Sequence, residues 1–220
     1  MLISHPCKFI YLKTRKTGGT SVEIYFEPYC VDPKNRAGDV HNRDAEISEW
    51  GVVGSRGSPS RPWYNHMPAS EVRELVGEVV WRQYLKFCVV RHPFDKVVSY
   101  FWFDVAAPIR EALRGAAFSD VRQMFQHWTA LGRFPMDQEV YTIGNEVAVD
   151  RILRFERLEQ DMGELCGRLS VPWQPGRIGR FKSEYRMRRE PFFEYYGPAA
   201  AARVREAFAW EMSFFGYSAE

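Results

Sequence analysis

The chain has 220 residues, 45% hydrophobic, 26% charged and 15% aromatic with seven tryptophans, a composition that excludes a disordered, collagen-like or heptad-dominated chain. The length allows one domain with a sizeable core. Thirty Lys and Arg against 28 Asp and Glu give a net charge of +2, too mild for bulk nucleic-acid binding, so any basic function must be local.

The first element is the short apolar, β-prone run at 9–13, which ends in a polar turn, Thr14-Arg15-Lys16-Thr17-Gly18-Gly19. A helix is expected next, with Thr20 or Ser21 as its N-cap and Glu23 in its first turn. Residues 30–65 are crowded with Gly, Ser, Pro, Asn and Arg and read as a long irregular excursion, with room for a small hairpin at Val52-Val53. A helix begins after Pro68, with Val72, Leu75 and Val76 on one face. The run at 84–91 is a second strand whose apolar end suggests burial on both faces, hence a parallel sheet. Pro93 sits where a helix start needs no N–H. Residues 108–131 read as one or two amphipathic helices, 151–155 as a third strand, 156–169 as a helix and 199–215 as the last helix. The alternation predicts a single α/β domain over 1–220 with a mostly parallel central sheet flanked by helices.

Cys7, Cys30, Cys88 and Cys166 are scattered, form no C-x-x-C pair and have no His at zinc-finger spacing, which suits a reducing cytosol. The N-terminal apolar stretch is broken by His5 and Pro6, unlike a secretory signal, and no run approaches the roughly 18 residues of a membrane span. The expected location is cytoplasmic.

Lys16, Gly18, Gly19, Thr20 and Ser21 follow a strand and open a helix. Glycines let the backbone approach a ligand, the helix N-terminus offers unpaired N–H groups, and Lys16 adds a point charge. This is a cradle for phosphate or sulfate, although a Gly-Gly turn after a strand is often only a turn. It departs from the nucleotide triphosphatase pattern G-x-x-x-x-G-K-[ST], because Lys16 precedes the glycines and the leading Gly is absent. A second candidate is Arg91 at a strand end with Ser99 further along the next helix. About 12 Å of helix rise separates them, a span an Arg side chain can bend across to share one anion.

The run Lys13-Thr14-Arg15-Lys16-Thr17-Gly18-Gly19-Thr20-Ser21 resembles the 5′-phosphosulfate loop of sulfotransferases that use PAPS (3′-phosphoadenosine 5′-phosphosulfate). Residues 91–99 are similar to their 3′-phosphate site. Residues 64–69, 155–159 and 215–218 extend the likeness over nearly the whole chain, weakest at 30–65 and nearest to the soluble bacterial carbohydrate-type branch. Arg15 departs from the family, which often has Pro there.

The resemblance implies a P-loop-kinase-like fold and transfer of a sulfuryl group from PAPS to a hydroxyl or amine of a carbohydrate or small metabolite, without a metal. It implies that Lys16 stabilises charge on the leaving phosphate. Arg15, Thr17, Gly18, Gly19, Thr20 and Ser21 would hold the 5′ end, Arg91 and Ser99 the 3′-phosphate, and Lys182 and Ser183 would close over the nucleotide. An acceptor hydroxyl must lose a proton. His66 is the candidate base; its other reading is a structural residue tying down the excursion. His41, Glu71 and His92 are weaker candidates, His92 reading more simply as a helix start, and His5 and His127 have no motif around them. The basic run 177–189 reads as a solvated loop or as a contact for an acidic acceptor such as a sulfated or uronic sugar. The aromatic runs 101–103 and 192–196 read as core, with a ring or two left for adenine or a sugar face. Two other readings stay open: a nucleotide kinase or ATPase, and a non-catalytic module binding phosphoadenosine or a sulfated glycan. The expected partner is a saccharide or small-molecule acceptor, with neither nucleic acid nor a membrane span; no feature encodes an oligomeric state.

Overall fold

The computed structural model describes residues 1–34, 43–57, 62–179 and 185–218. Two units are distinguished, one built from Met1–Val90 and Asp137–Phe181, the other from Arg91–Met136 and Lys182–Glu220. In the first, the strands are β1 (Leu2–Ser4), β2 (Phe9–Tyr11), β3 (Glu46–Ser48), β4 (Gly51–Val53), β5 (Leu85–Val90), β6 (Thr142–Ile143), β7 (Glu146–Val147) and β8 (Arg151–Arg154). The helices along the chain are α1 (Gly19–Phe26), α2 (Ala69–Gln83), α3 (Pro93–Asp104), α4 (Ala107–Gly115), α5 (Phe118–Thr129), α6 (Gln138–Tyr141), α7 (Leu158–Leu169), α8 (Pro198–Ala207) and α9 (Ala209–Phe215). Of these, α1, α2, α6 and α7 belong to the first unit.

Six strands form one sheet in the order β3-β4-β1-β2-β5-β8. β2, β5 and β8 pair in parallel, and β1, β4 and β3 are added antiparallel. Thus β2, β4, β5 and β8 run one way and β1 and β3 the other. The parallel half contains the three strands expected from the apolar runs, and β5 is buried from Lys86 onward, as an unbroken apolar strand requires. The antiparallel half differs from the expectation. The N-terminal segment supplies β1, and the excursion at 30–65 supplies a β3–β4 hairpin that extends the sheet. Gly51 makes that closure possible: its φ is 150°, and a Cβ there would lie 1.9 Å from the Ile3 carbonyl oxygen.

α1 and α7 bury their apolar sides on the sheet. Val22, Tyr25 and Phe26 of α1 and Met162, Leu165 and Leu169 of α7 share one core with Phe9, Tyr11, Phe87 and Leu153. Tyr11 stacks on Phe87 with ring centroids 4.9 Å apart, so the strand that leads into the glycine-rich turn is held firmly from within.

The second unit is helical. Phe94, Val97, Phe101 and Trp102 of α3 pack with Val121, Phe125 and Trp128 of α5, and with Val204, Phe208, Tyr195 and Tyr196. Most of the two aromatic runs is therefore core, leaving Phe103 and Phe193 exposed. The stretch at 108–131 lies in two helices, α4 and α5. The single helix expected at 199–215 is instead two, broken at Phe208 (φ −110°, ψ 25°), which leaves helical geometry with its ring buried at 1% exposure. Among the described residues no helix is long and apolar enough to cross a membrane, and Cys7, Cys30, Cys88 and Cys166 are free thiols.

Candidate functional site

The turn after β2 is fastened to the sheet before it opens. Leu12 N–H donates to the Phe87 carbonyl at 2.9 Å. Thr14 Oγ1 donates to the Val89 carbonyl and lies 2.8 Å from Thr17 Oγ1. The Thr17 hydroxyl is thereby engaged inside the turn. Lys16 (φ 59°) and Gly18 (φ 76°) are both left-handed, which doubles the chain back so that Gly19 begins α1. Gly18 is the N-cap and supplies no side-chain cap. Its carbonyl accepts the N–H groups of Ser21 and Val22 at 2.9 and 3.3 Å. The earlier N–H groups of α1 keep their donor capacity at the positive end of the helix dipole. Gly18 suits its left-handed φ of 76°, where a Cβ would also lie 3.3 Å from the Phe155 ring, and a Cβ on Gly19 would crowd Lys13 Cγ at 2.9 Å. Thr20 and Ser21 are buried, while Lys16 and Arg15 are partly exposed.

Arg15 is clamped by a residue that the sequence did not single out. Asp137, fully buried, accepts the Arg15 backbone N–H at 2.8 Å on Oδ2 and its Nη1 at 3.1 Å on Oδ1. Nothing local marks Asp137: it lies between the helical stretch at 108–131 and the strand at 151–155, in no motif.

Beneath the turn lies a buried ionic cluster. Glu23 on α1 takes Lys13 Nζ on Oε2, Arg56 Nε at 3.0 Å and the Met1 amino nitrogen at 2.9 Å. Burial alone would raise the Glu23 carboxyl; Lys13, the Met1 amine and Arg56 overcome it and hold the group well below the usual carboxylate range. Arg56 also reaches Glu27, which in turn pairs with Arg43.

His66 sits against Lys13, the residue just before the turn. Its backbone is left-handed (φ 63°), and Nδ1 lies 2.9 Å from the Lys13 carbonyl oxygen. A carbonyl only accepts, so Nδ1 carries the proton and the lone pair is on Nε2. Burial, then the positive fields of Lys13 and Arg15, hold its pKa down at about 3. The ring is therefore neutral at physiological pH, and among the described residues no hydrogen bond reaches Nε2.

The remaining candidates fall in two groups. In the second unit Arg91 binds Asp95 Oδ2 through Nε at 2.8 Å and Nη2 at 2.6 Å, and Asp95 Oδ1 takes Arg186 Nη1 at 2.7 Å. Asp95 and Ser99 are four residues apart on α3 and share a face. Arg186 and Arg188 are tied into this unit: Arg188 binds Glu190 and the Ala116 carbonyl at 2.6 and 2.7 Å. The basic run at 177–189 is thus partly structural rather than a plain solvated loop. His92 Nδ1 caps α3 by accepting the Phe94 N–H, and its Nε2 donates to the Ser218 carbonyl at 2.8 Å. In the first unit Glu71 accepts the Tyr64 hydroxyl at 2.7 Å, and His5 Nδ1 lies 2.9 Å from the Tyr84 hydroxyl. Lys182, Ser183 and His41 lie outside the described residues. Among the described residues no cluster of three or more His, Cys, Asp or Glu is placed to hold a metal ion.

In the first unit the geometry thus joins a left-handed, glycine-bearing turn, a helix N-terminus without a side-chain cap and a neutral imidazole against Lys13, the residue just before the turn. Comparison with protein-family models, curated proteins and solved structures returns no match for this chain.

Proposed function

We propose that the chain is a sulfotransferase that moves the sulfuryl group of PAPS to a hydroxyl or amine of a carbohydrate or small metabolite. The observation that carries this reading is His66: a neutral imidazole, its tautomer fixed by the carbonyl of Lys13, the residue just before the glycine-bearing turn. An anion cradle alone serves any phosphate binder, whereas a cradle with a fixed proton acceptor serves transfer to a hydroxyl. The strand–turn–helix of β2 and α1 beside parallel β5 supports a P-loop-kinase-like relationship. The four free thiols suit a cytoplasmic setting.

In the proposed step the acceptor oxygen forms a bond to sulfur as the bond from sulfur to the bridging phosphate oxygen breaks. The acceptor proton passes to His66 Nε2. The electron pair of the broken bond stays on the phosphate of adenosine 3′,5′-bisphosphate, where Lys16 and the α1 N–H groups stabilise it. Burial holds His66 neutral first, and the fields of Lys13 and Arg15 add to it; arriving negative charge offsets those fields, so the base strengthens as the donor binds.

The test is a thermal titration with adenosine 3′,5′-bisphosphate, with ATP plus Mg²⁺ in parallel. Ligand at about 100 times its Kd stabilises a fold by about 2.7 kcal/mol. The bisphosphate is expected to stabilise the chain, Lys16→Ala to reduce the effect, and His66→Asn to keep binding while losing transfer from PAPS. Arg91→Ala tests the 3′-phosphate assignment separately. Stabilisation by ATP and Mg²⁺ alone would replace this reading with a kinase or ATPase. Bisphosphate binding with unchanged turnover in His66→Asn would remove His66 as the base, and binding without any transfer would leave a non-catalytic module.

A further inference from the structure

Arg91 precedes α3, and Ser99 lies two turns further along it. For the two to share one anion, a long and rotamer-rich side chain must lie along the helix rather than stand out into water. Asp95 supplies that direction. It is the third residue of α3, one turn before Ser99 and on the same face. Its Oδ2 takes Arg91 Nε at 2.8 Å and Nη2 at 2.6 Å. Two bonds along one edge of the planar fork fix its rotation as well as its place. The pair is little screened, because the two side chains are only 8% and 13% exposed.

The carboxylate is itself braced. Its Oδ1 takes Arg186 Nη1 at 2.7 Å, and Arg186 Nη2 donates to the Glu190 carbonyl at 3.1 Å. This second guanidinium stops the carboxylate from turning. It also offsets the charge, so Asp95 does not meet an incoming phosphate with a full negative charge. The chain of contacts from Glu190 through Arg186 and Asp95 to Arg91 lies within the second unit.

We propose that Asp95 is a positioning residue that sets nucleotide specificity. It lays the Arg91 guanidinium along α3 toward Ser99, so that the two take a phosphate on the 3′-oxygen of a nucleotide and discriminate against nucleotides that lack one. The inference rests on the sulfuryl-transfer reading, in which Arg91 and Ser99 hold that phosphate. Asp95 acts through Arg91 and touches no ligand. Without it, the cost of ordering Arg91 falls on nucleotide binding and weakens it. A carboxylate that acted only as a nearby charge would do the opposite: its removal would strengthen anion binding.

The test is calorimetric titration of the full chain with adenosine 3′,5′-bisphosphate and with adenosine 5′-phosphate. The wild-type chain is expected to prefer the bisphosphate by about tenfold or more. In Asp95→Asn, bisphosphate affinity is expected to fall about tenfold while monophosphate affinity stays unchanged, a pattern that misfolding does not give. Asp95→Glu keeps the charge on a stem one methylene longer and is expected to lose part of the preference; it carries the decision where Asp95→Asn does not fold. In an Arg91→Ala background, Asp95→Asn is expected to have no further effect. Unchanged or raised bisphosphate affinity in Asp95→Asn, an unchanged preference in Asp95→Glu, or an undiminished effect of Asp95→Asn on top of Arg91→Ala would overturn the proposal and leave the transfer reading standing. A wild-type chain that binds neither nucleotide would overturn both. One that binds the two alike would overturn the 3′-phosphate assignment, and this proposal with it.

Discussion

The carboxylate of Asp137 spans the backbone N–H and the guanidinium of Arg15, at 2.8 and 3.1 Å, and so fixes the residue next to Lys16. Asp137→Ala removes both acceptors and is expected to destabilise the first unit by about 1–3 kcal/mol, because a donor loses its buried partner. Asp137→Asn keeps one carbonyl acceptor and is expected to lose less than half of that. Urea unfolding of the two variants checks the order; equal losses would mean that the ion pair, not the backbone bond, does the holding.

His66 gives the fold a pH dependence. Its folded pKa of about 3 lies below the ordinary 6.5, so between these values the unfolded chain holds a proton that the folded chain does not. The His66 contribution is then complete above pH 6.5 and falls as the pH drops through that window, while the Met1 amine, whose pKa burial lowers from 8.0, adds a loss of the same sign that begins below pH 8. Glu23, whose folded pKa is depressed, adds its own loss, but only below its ordinary value of 4.5. In His66→Asn, where Asn tolerates the left-handed backbone, the loss between pH 6.5 and 4.5 is expected to shrink by the His66 share, leaving that of the Met1 amine, while the lower limb remains. Urea midpoints at pH 7.5, 6, 5 and 4 read both limbs. An NMR titration of the ring with and without adenosine 3′,5′-bisphosphate should show the His66 pKa rising on binding.

Two glycines in the same chain are expected to respond oppositely to alanine. Gly18→Ala forces a Cβ into a left-handed residue (φ 76°) against the Phe155 ring and should cost about 1–2 kcal/mol or more. Gly167→Ala, inside α7 with nothing within 4 Å of the new Cβ, should gain about 0.5–1 kcal/mol from helix propensity. Thermal unfolding of both decides. Destabilisation by Gly167→Ala would mean that the α7 backbone is under a constraint of its own.

Glu23→Gln leaves Lys13, Arg56 and the Met1 amine around a neutral amide. Removing one member of a buried ionic set typically costs about 3–5 kcal/mol. The loss should be larger than for Arg43→Gln, whose side chain is more exposed at 13%. A smaller loss in Glu23→Gln than in Arg43→Gln would show that water reaches the cluster.

The parallel strands and the helices were legible because β5 carries Phe87-Cys88-Val89-Val90 without a polar break and α7 repeats apolar residues on one face. β1 was not, because Leu2-Ile3-Ser4 is too short for alternation to show beside His5 and Pro6. Neither was the place of the β3–β4 hairpin in the sheet, since Glu46-Ile47-Ser48 has no apolar pattern. The break at Phe208 was hidden because the helical period runs straight through it; the buried ring, not the local sequence, decides the geometry. The turn at 13–21 could be read because its parts are neighbours in the chain. Asp137 and Arg56 could not, because only the completed fold brings a distant carboxylate or guanidinium to it. His66 was named from its surrounding segment, but its tautomer became readable only with the Lys13 carbonyl in view.

The first unit is interrupted: its chain leaves at Val90 and returns at Asp137. During synthesis, a nascent chain that ends at Met136 lacks both β8 and the carboxylate that pins Arg15. β5 is then an outer strand whose apolar residues offer unpaired backbone groups to other chains. A truncated product therefore cannot make a finished turn, and it exposes the edge that invites self-association. Ribosomal pausing or premature termination before residue 155 should yield aggregates rather than a folded fragment.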